Sequence, residues 1–198
     1  MDTGATREGH VEQLRVDQLA PEFDETAVVD AAKLGEQTAL AMLYEHYFPR
    51  VFRYVNSRLH SNEDAEDVTT EIFLRIIDNI GSFQWRGLPF GAWVFRIARN
   101  EVVSHVRRLK TRGGAAELTE SIPDDSRDHT EQVEIDLTFQ VVRRAIEKLP
   151  EAQRQVVTLR FVSGLSVAET AAALKKTENN VKVLQHKGIA KLQQLVDR

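Results

Sequence analysis

Three groups of side chains have types and spacings that suit binding chemistry, and the first is acidic. Asp64, Asp67 and Glu71 recur at i, i+3 and i+7, so their carboxylates fall on one face of a helix. Phe73 is expected to project at the flank of this face. Like charges in this arrangement repel, so a basic partner surface would favour them. A solvated acidic face near a helix N-terminus, where the macrodipole favours negative charge, remains an open alternative.

The second group lies in residues 83–112, where aromatic and basic residues are interleaved. This stretch contains seven Lys or Arg residues against one acidic residue. Aromatic rings stack on unpaired bases and cationic groups contact phosphates, so the combination is typical of a surface for single-stranded nucleic acid. Gly81, Gly87 and Pro89 predict a loop at its beginning, where a base could be held out of its stack. Aromatic residues within the helical part, such as Trp93, suit a hydrophobic core instead.

The third group is near the C-terminus, where two short helices are predicted over Val167–Leu174 and about Glu178–Leu195. Ser166 and Glu169 form a capping box for the first, and Thr177 suits the N-cap of the second. A tight turn between short helices is typical of a helix-turn-helix, whose second helix enters the major groove of DNA. A helical hairpin with a solvated basic face is the alternative. The residues predicted to face outward from the second helix are Asn179, Asn180, Lys182, Val183, His186 and Lys187.

Helical spacing of apolar residues runs through most of the chain and predicts an all-α fold. It predicts helices over 40–59, from Ser61 or Asn62 to Gly81, and over 88–109. No segment of useful length alternates with period two, so strands are not expected. The sequence predicts two small helical domains joined by a flexible acidic linker, with these divisions: a mobile tail over 1–23, a first domain over 24–112, the linker over 113–131 and a second domain over 132–198.

The net charge of −4 hides blocks of opposite sign. Residues 24–82 carry five basic against eleven acidic residues, whereas residues 138–198 carry eleven against five. Residues 113–137, which include most of the linker, carry one basic residue against eight acidic ones. Two basic zones separated by acidic ones predict two surfaces that bind phosphate groups. They also predict an acidic surface that binds a different kind of partner.

Several functional classes are not expected from this sequence. The absence of cysteine excludes disulfides, thiol nucleophiles and Cys-ligated zinc. The six histidines show no metal-ligand spacing, and the common catalytic and phosphate-loop motifs are lacking, so we expect neither an enzyme nor a cofactor. The polar beginning of the chain and the lack of a long apolar run predict a cytoplasmic protein without membrane insertion.

Three segments in order resemble bacterial sigma factors of the extracytoplasmic-function (ECF) type in the sigma-70 family. They are DAEDVTTEIFLRI at 64–76, GAWVFRIARN at 91–100 and GLSVAETAAALKKTENNVKVLQHKGIAKL at 164–192. The likeness covers about residues 26–198. It implies two helical domains, sigma-2 and sigma-4, in a transcription initiation factor that binds core RNA polymerase, directs it to promoters and assists promoter melting. A free-standing helix-turn-helix regulator that binds duplex DNA without polymerase is the alternative.

The resemblance also implies roles for the three groups. The acidic group and Phe73 match the surface that docks on the polymerase clamp helices, and the helix-turn-helix matches the reader of the minus-thirty-five element, itself docked on the polymerase flap. The family also admits an anti-sigma factor as a partner. The aromatic and basic group matches the part that opens the minus-ten element and captures a flipped base, and the residues assigned to it are Ser82, Gln84, Trp85, Arg86, Arg96, Arg99, Asn100, Arg107 and Arg108.

The sequence departs from the family pattern within the helix-turn-helix. Lys175 stands where family members usually have glycine, so a left-handed turn residue there would be strained. Val183 and Leu184 occupy positions where Ser-Arg is common, which removes an expected phosphate contact.

Overall fold

The computed structural model describes residues 23–59, 61–111 and 141–196, and these residues form helices without any strand. The all-α prediction is therefore confirmed for the described part of the chain. The linker predicted over 113–131, and the predicted tail apart from Phe23, lie outside the described residues. In chain order the helices are α1 (Glu25–Lys33), α2 (Gln37–Asn56), α3 (Asn62–Asn79), α4 (Phe90–Thr111), α5 (helical residues 141–147), α6 (Glu151–Val157), α7 (Val167–Leu174) and α8 (Glu178–Val196).

Helices α1 to α4 form the N-terminal domain around an aromatic core. Tyr47, Phe90 and Phe95 are almost completely buried, and the ring centroids of Tyr47 and Phe90 lie 5.6 Å apart in an edge-on contact. Helix α2 continues through Pro49, although proline removes an amide donor from the helix. Helix α3 begins after Ser61, whose Oγ accepts a hydrogen bond from the Asp64 amide at 3.1 Å, as the capping prediction required.

Helices α5 to α8 form the C-terminal domain, and a π-helical turn over Thr158–Val162 continues α6. Val156 and Val181 are both completely buried and join α6 to α8. The two helices approach each other closely at Gly188, where an added Cβ would lie 2.7 Å from the Val157 Cγ2. Glycine is therefore needed there for the two backbones to come together.

The two domains pack directly against each other. Leu159, Leu165 and Ala173 of the C-terminal domain belong to the same buried apolar cluster as Phe90 and Phe95 of the N-terminal domain. Since a fully buried leucine or phenylalanine contributes about 1.5–3 kcal/mol relative to exposure, this shared cluster is a substantial contact. The packing brings α7 onto α4 and the π-helical turn onto α2.

Candidate functional site

The acidic group lies on α3 and is open to solvent, and we call Asp64, Asp67 and Glu71 the acidic surface. Asp67 and Glu71 are exposed, whereas Asp64 is half-buried near the N-terminal end of the helix. The Asp64 Oδ1 lies 3.6 Å from the His105 Nε2 of α4. The helix face predicted from the i, i+3, i+7 spacing is thus present, with two of its three carboxylates accessible to a partner.

The expectation that Phe73 projects at the flank of the acidic surface is wrong. Its side chain is 6% exposed and packs edge-on against Tyr44, with ring centroids 4.8 Å apart. Phe73 lies two residues beyond Glu71 and therefore points to the opposite side of the helix, into the space between α2 and α3. The free energy is lower with the aromatic ring buried there than with the ring exposed to water.

Two apolar residues of α3 were missed in the sequence and belong to the accessible part of this helix. Leu74 is 57% exposed and Ile77 is 47% exposed. Leu74 follows Asp67 by seven residues, so the two share a helix face. That spacing was the available signal, because it places an apolar side chain on the exposed face that carries the carboxylates.

The predicted loop follows α3, and its side chains differ in their exposure to solvent. A 3-10 turn over Ile80–Ser82 leads into it, and Gly87 adopts a left-handed φ of 68° at its end. Trp85 is half-buried: its indole Nε1 donates to the Asp30 Oδ1 at 3.2 Å, and its ring packs edge-on against Phe83. The loop side chains that are exposed are Ser82, Gln84 and Arg86.

On α4 the predicted minus-ten residues divide between two faces. Arg96, Arg99, Asn100 and Arg107 lie along one face by helical spacing, and we call these four the arginine face. Asn100 and Arg107 are exposed, but Arg96 and Arg99 are half-buried. The Arg96 Nη2 donates to the Ala172 carbonyl at 3.1 Å, and the Arg99 Nε donates to the Gln155 Oε1 at 3.3 Å.

Arg108 lies apart from the arginine face and pairs with the acidic surface. Its Nη2 is 3.3 Å from the Glu71 Oε2, and both side chains are about half exposed. Such an exposed pair contributes about 0–1 kcal/mol. A residue assigned to DNA therefore contacts a residue assigned to polymerase, which the sequence did not indicate.

The helix-turn-helix is capped as predicted. Ser166 and Glu169 form the reciprocal capping box of α7, and the Thr177 Oγ1 accepts from the Asn180 amide at 3.2 Å at the start of α8. Lys175 ends α7 in the left-handed region, with φ 53° and ψ 45°. A non-glycine residue in this conformation costs about 1–2 kcal/mol, so the turn carries the strain expected from the missing glycine.

No other element of the described residues covers the outward face of α8, and we call this face the recognition face. All six residues predicted to point outward are exposed, namely Asn179, Asn180, Lys182, Val183, His186 and Lys187. Val181 and Gly188 lie on the opposite side of α8, and both are buried. Gln185 is half-buried and accepts a hydrogen bond from the Arg160 Nε at 3.0 Å, which satisfies a polar side chain near the core.

Two titratable groups near the domain contact are perturbed. Burial raises the pKa of the Tyr54 hydroxyl to about 12. Burial opposes ionisation of Glu151, but hydrogen bonds from Arg154 and the charge of Arg58 outweigh it, so the pKa of this carboxyl is lowered. The Arg58 Nη2, two residues after the end of α2, lies 2.8 Å from the Glu151 Oε1 of α6.

Within the described ranges, no group of three or more His, Asp or Glu side chains is arranged to hold a metal ion. In the same residues, no helix has the length and apolar character needed to span a bilayer.

Comparison with known proteins identifies the two domains. The model for sigma-70 region 2 matches residues 43–112, and the model for sigma-70, region 4 matches residues 139–192. The ECF RNA polymerase sigma factor BldN of Streptomyces coelicolor is 38% identical over 176 residues, which cover 85% of this chain but only 64% of BldN. The ECF RNA polymerase sigma factor SigD of Mycobacterium tuberculosis is 34% identical over 172 residues, covering 84% of this chain and 81% of SigD.

Two solved structures share the fold. One is CnrH in complex with the cytosolic domain of CnrY, with a TM-score of 0.67 and 23% identity over 86% of this chain and 96% of that chain. The other is the sigma factor RpoE of Bartonella quintana in complex with the anti-sigma factor NepR, with a TM-score of 0.62 and 22% identity over 79% of this chain and 96% of that chain. Since two sigma-70 regions match in order and SigD aligns over most of its length, the chain belongs to the ECF sigma factors of the sigma-70 family.

Proposed function

We propose that this protein is a transcription initiation factor that binds core RNA polymerase, directs it to promoters with minus-ten and minus-thirty-five elements, and assists their melting. The observation that carries the proposal is the separation of charge within one small domain. The acidic surface lies on α3, and the arginine face lies on α4. A domain with two such faces can hold a protein and a nucleic acid at the same time.

Polymerase docking is assigned to the acidic surface together with Leu74 and Ile77. Exposed carboxylates beside exposed apolar side chains suit a partner that offers basic residues around an apolar centre. Phe73 acts from inside the domain, where it supports α3 against α2 rather than contacting the polymerase.

Capture of the minus-ten element is assigned to the loop after α3 and to α4. Gln84 and Arg86 are exposed on either side of Trp85, which Asp30 holds in place. A rigid loop with polar side chains around an anchored indole can receive a base that has left the stack. Extrusion of a base costs a few kcal/mol, and phosphate contacts from the arginine face offset that cost. Arg108 is exposed but already pairs with Glu71.

Recognition of the minus-thirty-five element is assigned to the recognition face of α8. Asn179 and Asn180 lie in its first turn, where a helix inserted into the major groove meets base edges. Lys182 and Lys187 follow on the same exposed face and suit phosphate oxygens.

The proposed role includes no bond chemistry of its own, since the polymerase supplies the catalysis. It places the protein in the cytoplasm with its polymerase. An anti-sigma factor is an expected further partner, because RpoE of Bartonella quintana is found bound to one.

The alternative of a free-standing regulator is not favoured, because the match to sigma-70 region 2 covers the domain that such a regulator would not need. Fluorescence anisotropy with labelled promoter duplex separates the two functions. We expect weak binding by the purified chain and tight, specific binding after core polymerase is added. Tight specific binding by the chain alone, unchanged by core polymerase, would contradict the proposal.

A further inference from the structure

A π-helical turn over Thr158–Val162 follows α6 in the C-terminal domain. The Ser163 amide donates to the Thr158 carbonyl, five residues earlier, at 3.1 Å, which is the hydrogen bond of a π-helix. Because such a turn holds an extra residue, its side chains point in directions that an uninterrupted α-helix would not give them. Turns of this kind are rare and occur frequently at functional sites. The surfaces assigned above do not include it.

Arg160 lies in the middle of the π-helical turn and is held by three neighbours. Its Nε donates to the Gln185 Oε1 of α8 at 3.0 Å, and its Nη1 donates to the Leu165 carbonyl. Its guanidinium carbon lies 6.0 Å from the centroid of the Phe161 ring. The guanidinium group is therefore fixed to the turn by a backbone carbonyl while its Nε is directed at α8.

Gln185 lies at the boundary between the buried and exposed sides of α8. Val181, four residues before it, and Gly188, three residues after it, are buried. Lys182, three residues before it, and His186, one residue after it, belong to the exposed recognition face. The half-buried side chain of Gln185 thus joins the recognition helix to the π-helical turn at the edge of that face.

The hydrogen bond from Arg160 to Gln185 restricts rotation of α8 about its own axis more sharply than apolar packing does. Apolar contact is non-directional, and Gly188 supplies no side chain that would oppose rotation where α8 approaches α6. A hydrogen bond weakens steeply as its angle falls towards about 120°, so it defines a direction as well as a distance. Hydrogen bonds from charged donors are also about twice as strong as those between neutral groups.

A small rotation of α8 would misplace the recognition face. A helix with its side chains has a radius of about 5–6 Å, so a rotation of about 20° moves the end of a side chain by about 2 Å. Hydrogen bonds form only over a range of about 0.5 Å in donor–acceptor distance. A rotation of this size would therefore exchange one set of base contacts for another, beginning with Lys182 and His186 beside Gln185.

We propose that Arg160 is a positioning residue for minus-thirty-five recognition, which holds α8 through Gln185 at the rotation that brings the recognition face onto its base pairs. The inference rests on the proposed function of that face. Arg160 acts through Gln185 and needs no contact of its own with DNA. The π-helical turn has a role in this arrangement, because it directs the guanidinium group at α8.

Selection of promoter duplexes by the full chain in complex with core polymerase tests the proposal. The probe is a pool of duplexes with a randomised minus-thirty-five element and one fixed minus-ten element. Sequencing of the bound fraction gives the preference for the best element over its single-base variants, which normally bind several-fold to about 100-fold more weakly. We expect Gln185→Leu, which removes the acceptor, to lower this preference for the wild-type element about fivefold or more.

Two further variants separate a positioning role from a merely structural one. Gln185→Glu keeps an acceptor for Arg160 and should keep the wild-type preference, although its added negative charge weakens binding to every duplex alike. Gln193→Leu makes the same exchange at an exposed position of α8 and should leave the preference unchanged. An unchanged preference in Gln185→Leu, or a preference in Gln185→Glu as low as in Gln185→Leu, would overturn the proposal.

Substitution of the donor supplies an independent arm. Arg160→Lys keeps the positive charge but lacks the rigid fork that reaches Gln185 and the Leu165 carbonyl together. It should lower the preference as Gln185→Leu does, and the two substitutions combined should lower it no further, because they break one contact. Additive losses would overturn the proposal. Arg144→Lys, at an exposed position of α5, is the matched control and should keep the wild-type preference.

The wild-type complex distinguishes failure of this inference from failure of the proposed function. If the wild-type complex selects no element from the pool, minus-thirty-five recognition by α8 fails and the positioning role fails with it. If the wild-type complex selects an element and Gln185→Leu selects it equally well, only the positioning role fails. A uniform loss of affinity for all duplexes in Gln185→Leu, with unchanged preference, would show a structural role and would also overturn the inference.

Discussion

The acidic surface of α3 and the arginine face of α4 lie on neighbouring helices of one domain, yet they differ in what covers them. Asp67 and Glu71 are open to solvent, whereas Arg96 and Arg99 contact the C-terminal domain. The surfaces proposed for the two partners therefore differ in how accessible they are. The α3 carboxylates are accessible to a protein, whereas two arginines of the α4 face already donate hydrogen bonds to the C-terminal domain.

Reversal of one charge in the acidic surface should have the largest effect. In Asp67→Lys, a lysine would face the basic residues expected on the polymerase, and such a like-charge contact costs several kcal/mol. We expect affinity for core polymerase to fall about 100-fold, measured by titration of labelled protein. Glu66→Lys adds the same charge about 100° around the helix and serves as the control. An equal loss of polymerase affinity in both variants would show that the acidic surface has no specific role in docking.

Removal of the two covered arginines should affect DNA and leave polymerase affinity intact. Hydrogen bonds to charged groups are worth about 1.5–3 kcal/mol each, so Arg96→Ala with Arg99→Ala should lower run-off transcription about tenfold or more. Polymerase affinity in the titration above should stay at the wild-type value. Transcription at the wild-type level would contradict the assignment of these arginines to minus-ten DNA.

The recognition face offers a smaller effect, because each of its exposed lysines is expected to contribute a single phosphate contact. Lys182→Ala and Lys187→Ala should each reduce the slope of log affinity against log salt by about one unit per lost phosphate contact. Anisotropy of the polymerase complex on promoter duplex at several salt concentrations measures this slope. Arg144→Ala provides a matched loss of positive charge outside the proposed surface. Slopes equal to that of the wild-type protein would show that neither lysine contacts promoter DNA.

Acid should modestly loosen the contact between the two domains through the Arg58–Glu151 ion pair. The pKa of Glu151 is lowered in the folded protein, so the ion pair is at full strength above the ordinary value of 4.5 and weakens as pH falls through the lowered pKa. The charged and titratable groups that face it are Tyr54 of α2, Arg58 just after α2, and Arg154 of its own helix. Energy transfer between dyes at Asp78→Cys and Gln193→Cys should fall on acidification while helical circular dichroism persists. The Glu151→Gln substitution should abolish this pH-dependent fall in energy transfer.

Much of the helical architecture followed from local rules that the structure obeys. The capping box at Ser166, the cap at Ser61 and the limits Val167–Leu174 depend on residues within one or two turns of each other. The exposed side of α8 also followed from periodicity alone, since its buried side is marked by Val181 and Gly188.

Other features required knowledge of what packs on each helix, which periodicity does not contain. Phe73 and Glu71 are separated by two residues, and only the position of α2 shows that the ring turns inward. Arg96 and Ala172 are 76 positions apart, so no local pattern could pair them. Helical spacing finds a face of a helix, but it does not say whether solvent, DNA or another domain covers that face.

Run-off transcription with purified core polymerase across a genomic fragment library tests the central claim most directly. The account predicts that adding this protein produces discrete transcripts from a small set of start sites, each preceded by shared minus-ten and minus-thirty-five sequences. The Asp67→Lys protein should produce none of them. Absence of any new start site, with a core enzyme that responds to another sigma factor in the same reactions, would contradict the account.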